Sequence, residues 1–153
     1  MPTAAIETEI GWLEVMADAD AITHLNWRQV KPARLSGSAL VERAADELRA
    51  YLAGKRRSFD LPLRADGSDF AKAVWEIMLA IPYGETLTYG DVAQKLNVPA
   101  QAVGQACGQN PIAVVIPCHR ITGTNWMGGY SSDLGIRAKR FLLDLERGQG
   151  RLF

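Results

Sequence analysis

The sequence predicts an α/β (α+β) protein made of two units, and three patterns carry this prediction. An alternation of residues at 6–10 and short runs rich in apolar and β-branched residues at 12–17 and 22–27 are typical of an antiparallel sheet. Apolar residues recur at helical spacing in several segments between residues 39 and 145. A polar, glycine-containing stretch near residues 64–68 indicates a linker. We therefore expect a small antiparallel-sheet unit at residues 1–67 and a largely helical unit at residues 68–153.

The N-terminal unit is expected to hold a sheet and one helix. Alternation at residues 6–10, followed by apolar runs at residues 12–17 and 22–27, predicts a hairpin or a three-stranded meander. Apolar residues at helical spacing predict a helix over residues 39–52. A further alternation at residues 59–63 indicates an edge strand.

The C-terminal unit is expected to begin with three helices. Ser68 is a capping residue ahead of an apolar helical stripe. Thr88 is placed to cap a second helix over residues 89–96, and Pro99 stands where it can open a third over residues 100–109. Two helices joined by a short turn are typical of a helix-turn-helix, although the same arrangement also occurs as plain packing.

Two further segments complete the C-terminal unit. The apolar run at residues 112–116 is expected to be a buried strand that ends at Pro117. A last helix is predicted near residues 136–146, with Ile136 on its core face and Lys139 on its outer face.

Cys118 directly precedes His119 and Arg120, so reactive side chains are concentrated just after Pro117. The chain has two cysteines and two histidines, which do not form the grouped ligand set of a structural zinc site, and no metal is expected. A buried structural cysteine remains open. The other explanation is an activated nucleophile, because cationic neighbours lower the pKa of a thiol.

Bulk composition excludes some classes of protein. Lysine plus arginine and aspartate plus glutamate each number 17, which argues against a strongly electrostatic nucleic-acid binder. No apolar stretch reaches the length of a membrane span, and the first residues lack a secretory-signal pattern. Few cysteines fit a reducing compartment. We expect a cytoplasmic protein that makes no membrane contact.

The segment from Asn110 to Arg120 resembles the active-site signature of the O6-alkylguanine-DNA alkyltransferases, and so does the segment at residues 81–93. The resemblance runs from about residue 11 to residue 146. It implies a ribonuclease H-like N-terminal unit and a winged helix-turn-helix-like C-terminal unit that enters the DNA minor groove. It also implies irreversible, single-turnover transfer of the alkyl group from O6-alkylguanine in duplex DNA to the protein, without a cofactor or an obligate protein partner. O4-alkylthymine is a second candidate substrate. The protein is then expected to be a monomer that is associated with the nucleoid when bound to DNA.

The same resemblance implies roles for individual residues. Cys118 would be the nucleophile, His119 its base through a water molecule, and Glu146 the group that orients His119. Asn110 would hold the loop that shapes the site. Tyr89 would help rotate the phosphate 3′ to the lesion and donate to guanine N3 once the base leaves the stack. The other expected DNA contacts are Gln101, Ala102, Gly104, Arg120, Trp126 and Met127, and the expected pocket residues are Tyr130, Ser131 and Ser132.

The sequence departs from the family pattern at two places. Gln101 stands where the family usually carries the arginine that fills the gap left by the flipped base. The loop around Tyr130 also differs, and it contains Trp126 and Met127. Apolar side chains can wedge between base steps, so we hypothesise that Trp126 or Met127 opens the stack. The alternative is that both residues pack the loop onto the core.

Two other functions stay open from the sequence. Alkyltransferase-like proteins bind alkylated guanine without transfer, but they usually lack the cysteine that is present here as Cys118. A helix-turn-helix transcription regulator would need a basic surface, and Lys95 is the only lysine or arginine within residues 92–119.

Overall fold

The computed structural model describes residues 1–130, 132 and 134–148. These residues form two compact units. The first, here called the sheet unit, contains residues 1–66, 111–115, 132 and 134. The second, the helical unit, contains residues 67–110, 116–130 and 135–148. The predicted α/β (α+β) class, with a small antiparallel sheet before a helical unit, is confirmed.

The sheet unit is built on three antiparallel strands. Register pairs Ile6 with Leu13 and Leu13 with Trp27, and all three side chains are buried. Side chains directly opposite each other on adjacent strands point to the same face, so this row forms part of the core. The strands lie in the order β1 (Thr3–Glu7), β2 (Trp12–Ala17) and β3 (Ile22–Arg28), and α1 (Ala39–Leu52) packs against them.

Two predicted strands of this region are absent as strands. Among the described residues, the segment 59–63 pairs only through Leu63, in a single parallel bridge with Ile22, and Pro62 has no N–H with which to extend the pairing. The apolar run 112–116 is buried apart from the half-buried Ala113. Within the described part of the chain it forms only one bridge, between Ile112 and Leu25. It then bends.

The bend is a γ-turn centred on Val114. Its φ is +71°, and Val115 N donates a hydrogen bond to Ala113 O over 2.8 Å. A β-branched residue rarely adopts this backbone conformation, which costs about 1–3 kcal/mol. The run is therefore buried as predicted, but it turns the chain instead of continuing as a strand.

The helical unit contains four helices and a short parallel strand pair. Ser68 caps the first helix by accepting a hydrogen bond from Ala71 N over 3.1 Å, and Thr88 forms a reciprocal capping box with Asp91. Both predicted caps are confirmed. The elements are α2 (Asp69–Leu79), β4 (Leu87–Thr88), α3 (Tyr89–Leu96), α4 (Ala100–Gly108), β5 (Ile121–Thr122) and α5 (Ile136–Arg147).

Helices α3 and α4 form the predicted pair joined by a short turn. Asn97 ends α3 in the left-handed conformation with φ of 56°, and Pro99 opens α4. Trp75 on α2 donates a hydrogen bond from Nε1 to Ala106 O over 3.0 Å in the interior, which ties α4 to α2. The opposite side of α4 is left for the site described below.

The predicted orientation of α5 is wrong at two positions. Ile136 was placed on the core face but is 46% exposed, and Lys139 was placed outside but is fully buried. Among the residues that the structure describes, no helix is both long and apolar enough to cross a membrane.

Candidate active site

Two tight turns set the position of Cys118. Pro117 has φ −84° and ψ 69°, and Cys118 N donates to Ile116 O over 2.8 Å, which is an inverse γ-turn. A 3₁₀ turn over Cys118–Arg120 follows, closed by Arg120 N donating to Pro117 O over 2.9 Å. The turn places Cys118 in the wall of a cavity, and all three residues of the turn are buried.

The carboxylate of Glu146, on α5, is the hydrogen-bond partner of both side chains that follow Cys118. His119 Nε2 lies 2.8 Å from Glu146 Oε2. Arg120 donates from Nε to Oε1 over 2.8 Å and from Nη2 to Oε2 over 3.0 Å, and its Nη1 donates to Ile81 O over 2.8 Å. The carboxylate is therefore held in one orientation by a bidentate guanidinium, and it holds the imidazole in turn.

His119 is arranged to act as a neutral base. Burial lowers the pKa of His119 below its ordinary value, and this outweighs the opposite effect of Glu146. A neutral imidazole beside a carboxylate carries its hydrogen on the nitrogen that faces the carboxylate, here Nε2. Nδ1 then keeps the lone pair. It is buried and has no hydrogen-bond partner among the described residues.

Cys118 is in the thiol form in the resting protein. Burial raises the pKa of the Cys118 thiol, and hydrogen bonding from Asn110, the charge of Lys139 and hydrogen bonding from Tyr130 oppose this only in part. The expectation that adjacent cations would lower this pKa is wrong. The reason is that His119 is neutral and the charge of Arg120 is paired with Glu146.

The cavity beside Cys118 has a volume of about 790 Å³ and opens to solvent. Helices α3 and α4 and the loop after β5 form its walls, which are mainly apolar. A cavity of this kind, with few polar groups around a cysteine thiol, suits a small organic ligand. The residues that line it include Tyr89, Gln101, Gly104, Cys107, Cys118, Trp126 and Tyr130.

The structure thus places five of the predicted site residues around the predicted nucleophile: Tyr89, Gln101, Gly104, Trp126 and Tyr130. Asn110 supports the same region, since its Nδ2 donates to Ile116 O over 2.8 Å. Ala102 is half-buried on α4 and is not part of the cavity wall. Met127 lines a second hollow, of about 340 Å³, which it shares with Trp126.

Two predicted residues stand apart from this group, and a third lies outside the described residues. Arg120 was expected to contact DNA, but it is buried and donates to Glu146 and Ile81, so its position does not support that role. Ser132 belongs to the sheet unit, where its hydroxyl accepts a hydrogen bond from Leu134 N over 3.2 Å. Ser131 lies outside the described residues.

Lys139 is the functional candidate that the sequence reasoning missed. Its Nζ donates to Ile121 O over 2.6 Å, to Gly129 O over 3.0 Å and to Tyr89 Oη over 3.5 Å. The signal was present, because Lys139 lies three and seven residues before Leu142 and Glu146, which are also buried. Helical spacing placed it on the inner face, but its charge suggested the surface.

Comparison with known proteins agrees with this geometry. The protein-family model described as "6-O-methylguanine DNA methyltransferase, DNA binding domain" matches residues 69–148. The model described as "6-O-methylguanine DNA methyltransferase, ribonuclease-like domain" matches residues 1–65. Together they span most of the chain.

Individual relatives extend the match to full-length proteins. The methylated-DNA–protein-cysteine methyltransferase of Methanosarcina acetivorans is 38% identical over 152 residues, covering 94% of this chain and 96% of the relative. The Mycobacterium tuberculosis protein of the same name is 39% identical over 150 residues, covering 93% and 90%.

Solved structures give the same result. The crystal structure of Mycobacterium tuberculosis O6-methylguanine methyltransferase has a TM-score of 0.85 and 38% identity, covering 97% of this chain and 93% of that one. The Mycobacterium tuberculosis OGT in complex with DNA has a TM-score of 0.85 and 37% identity, covering 97% and 94%. This chain therefore belongs to the 6-O-methylguanine DNA methyltransferase family.

Proposed function

We propose that this protein repairs DNA by transferring the alkyl group of O6-alkylguanine in duplex DNA to the sulfur of Cys118. One observation carries the proposal: Cys118 lines an open cavity and is followed by His119, whose Nε2 is fixed by Glu146 at 2.8 Å. Relatives named methylated-DNA–protein-cysteine methyltransferases support the same chemistry. DNA is the partner, and the alkylated guanine within it is the proposed substrate.

The proposed reaction begins with a proton leaving Cys118. His119 accepts it on Nδ1, through a water molecule, and Glu146 stabilises the imidazolium that forms. The thiolate attacks the alkyl carbon, a sulfur–carbon bond forms, and the carbon–oxygen bond breaks. Its electron pair stays on guanine O6. Guanine needs one proton to become neutral, which equals the proton that Cys118 lost, so the transfer is balanced.

The product explains why the protein would act once. A thioether at Cys118 is not cleaved by water, and no step in the scheme restores the thiol. Because Cys118 rests as a neutral thiol, it gains its full nucleophilicity only when His119 removes the proton. The scheme therefore combines a stable resting protein with an irreversible transfer, and it requires only one protein molecule.

Access to Cys118 requires the base to leave the duplex, at a cost of a few kcal/mol. We assign the donor contact with guanine N3 to Tyr89, which lines the cavity. For opening the stack, Trp126 is the candidate. It lies at the cavity wall and is 67% exposed, which is unusual for so large an apolar side chain. Gln101, on the same cavity, is the other side chain available to fill the gap.

The test is the intact mass of the protein after incubation with duplex DNA that contains O6-methylguanine. A gain of one methyl group is expected in the wild type and is expected to be absent in Cys118→Ala. Cys107→Ala is the matched control, because Cys107 lines the same cavity, has a pKa raised to about 12 and, unlike Cys118, is not followed by a histidine. It should gain the methyl group as the wild type does.

Two outcomes would contradict the proposal. A methyl group that appears in Cys118→Ala but not in Cys107→Ala would show that Cys107, and not Cys118, accepts the methyl group. No mass gain, with lesion DNA still bound in preference to undamaged DNA, would make the protein a lesion sensor without transfer. Sedimentation of the DNA complex, in the same samples, tests the expected one-to-one stoichiometry of a monomer.

A further inference from the structure

A second hollow lies next to the active-site cavity and has no role in the proposed transfer. Its volume is about 340 Å³, and it is formed by the loop after β5 and by one face of α5. Gly123, Thr124 and Trp126 line both spaces, so this loop is the wall between them. A DNA strand that crosses the loop on its way from the cavity therefore reaches the hollow.

The hollow differs from the cavity in its chemistry. The cavity wall is mainly apolar, whereas the residues of the hollow include two arginines, Arg140 and Arg147, and two threonines, Thr122 and Thr124. Guanidinium and hydroxyl groups are common donors to phosphate oxygens in complexes with DNA. The hollow therefore suits an anionic backbone better than a base.

The two arginines of the hollow are available to bind an external anion. They are seven residues apart on α5, which is about two turns, so they lie on one face of the helix. Both are exposed, and within the described part of the chain neither guanidinium has a hydrogen-bond or ion-pair partner. Asp144 lies between them and lines the same hollow, so the three side chains carry one net positive charge.

The helical unit has few other exposed cations with which to hold DNA. Its described residues include seven lysines and arginines, but Arg120 is paired with Glu146 and Lys139 is fully buried. Three of the five that remain are on α5, whereas α3, α4 and the loop together hold one, Lys95. Affinity for DNA depends largely on the phosphates that lysine and arginine neutralise. Within this unit, α5 is therefore the main source of such contacts.

We propose that Arg140 and Arg147 form a phosphate-binding subsite, which holds the DNA backbone beside the loop while the alkylated guanine occupies the cavity. The inference rests on the proposed function, since it places the lesion base at Cys118. DNA is favoured over an acidic protein surface as the occupant, because the hollow shares a wall with the cavity that receives the base. Neither arginine lines the cavity, so the subsite acts on binding and not on the reacting atoms.

The test measures binding to duplex DNA that contains O6-methylguanine, at several salt concentrations between about 50 and 200 mM. All proteins carry Cys118→Ala, so that no transfer occurs during the measurement. Arg140→Gln and Arg147→Gln should each lower the affinity about tenfold, as expected for one lost hydrogen bond to a charged group. Each should also reduce the slope of log K against log salt by about 1, and the double variant should reduce it by about 2.

Asp144→Asn should change the affinity in the opposite direction. It removes the negative charge that opposes phosphate in the hollow, and it should raise the affinity about threefold. Damage to the fold would not produce a tighter complex, so this variant separates a local charge effect from a structural one. Lys72→Gln is the matched control, because Lys72 is exposed on α2 and lines neither space. It should leave the affinity and the slope close to those of the parent protein.

Transfer kinetics, with Cys118 present, give a second measurement. The DNA concentration that gives half of the maximal single-turnover rate should rise about tenfold in Arg140→Gln and in Arg147→Gln. A lower maximal rate at an unchanged half-saturating concentration would overturn the subsite.

Three other outcomes distinguish this inference from its alternatives. Arginine variants with the affinity and slope of the parent, or an Asp144→Asn protein that binds no more tightly, would show that phosphate does not enter the hollow. A loss confined to duplexes long enough for two protein molecules would overturn the inference by identifying a second copy of the chain as the occupant. A wild type that gains no methyl group on Cys118 from O6-methylguanine would instead contradict the proposed function, and the binding measurements do not depend on that result.

Discussion

Glu146 Oε2 lies 2.8 Å from His119 Nε2 in the protein interior, and this contact fixes which ring nitrogen can act as a base. With Nε2 carrying the hydrogen, the lone pair is on Nδ1. The same carboxylate accepts two hydrogen bonds from Arg120. Orientation of the base and neutralisation of a buried guanidinium therefore depend on one side chain.

Replacing Glu146 with glutamine should damage both functions of that side chain. N–H groups of Arg120 donate to both carboxylate oxygens of Glu146. In either orientation of the introduced amide, its NH₂ group, which is a donor, would therefore face another donor. We expect the transfer rate to fall by about 10²- to 10⁴-fold, as when a general base is lost. We also expect about 3 kcal/mol less stability, because a buried pair loses a partner.

Single-turnover rates and urea unfolding measure these two effects. Glu76→Gln is the matched control, because Glu76 is exposed on α2 and belongs to no part of the site. It should leave both quantities close to those of the wild type. A Glu146→Gln protein with an unchanged transfer rate would show that His119 needs no orienting carboxylate.

The buried neutral His119 predicts how stability depends on pH. Burial lowers the pKa of His119 in the folded state below 6.5. At a pH between the folded-state and the unfolded-state pKa of His119, the unfolded chain binds a proton that the folded protein does not. Stability therefore decreases as pH falls below about 6.5. The decrease is at most about 1.4 kcal/mol per pH unit from this group and stops below the folded pKa.

Urea unfolding at a series of pH values between about 7.5 and 5 tests this, within the range in which histidine is the side chain that titrates. In His119→Asn the slope that begins near the ordinary histidine pKa should disappear, even if that variant is less stable overall. A slope that persists unchanged in His119→Asn would assign the effect to another group.

The sequence predicted best those features that depend on neighbours in the chain. Ser68 and Thr88 each accept a hydrogen bond from a backbone N–H three residues later. Such a contact needs no other part of the fold, so local pattern was sufficient. Cys118, His119 and Arg120 were predicted as a site for a related reason, since these reactive side chains are adjacent in the chain.

The features that sequence reasoning missed depend on distant partners. Lys139 is buried because Ile121, Gly129 and Tyr89 offer it acceptors, and these residues are 10 to 50 positions away. The apolar run 112–116 was expected to be a strand, but a strand needs a neighbour along its whole length. Among the described residues, only Ile112 of this run pairs with a neighbouring strand, through Leu25, and the chain then turns at Val114.

Adjacent glycines in the loop after β5 provide a controlled comparison. Gly128→Ala introduces a Cβ 2.7 Å from Tyr89 Oη at a positive φ, so the loop must shift away from Tyr89. We expect about 1–3 kcal/mol less stability and a transfer rate lower by about tenfold. In Gly129→Ala the added Cβ has no atom of the described residues within 4 Å, and this variant should keep the stability of the wild type.

Thermal unfolding and single-turnover transfer, measured for both variants, check this comparison. The informative quantity is the difference between the two alanine variants, since both add the same methyl group to the same loop. Equal stability of Gly128→Ala and Gly129→Ala would mean that the loop does not pack closely on Tyr89 and Lys139 at Gly128.

Trp126 should affect the rate of transfer from duplex DNA but not the alkyl-transfer step itself. Its indole packs so closely on Gly123 that no Cβ would fit there, and yet the side chain is 67% exposed at the cavity. If it fills the gap in the stack, Trp126→Ala loses about 1–3 kcal/mol of stacking, or roughly 5- to 150-fold in transfer from duplex DNA. Transfer from the same lesion in single-stranded DNA should change little, because no stack must be opened.

Asn125→Ala is the control for Trp126→Ala, because Asn125 is also exposed and precedes Trp126 in the loop. It should leave both rates unchanged. Gln101→Arg offers a gain-of-function test, since a guanidinium on the cavity wall can stack where the indole was lost. It should restore much of the duplex rate in the Trp126→Ala background. If Trp126→Ala lowers the transfer rates from duplex and single-stranded DNA equally, Trp126 supports the loop. Gln101 would then be the side chain that fills the gap in the stack.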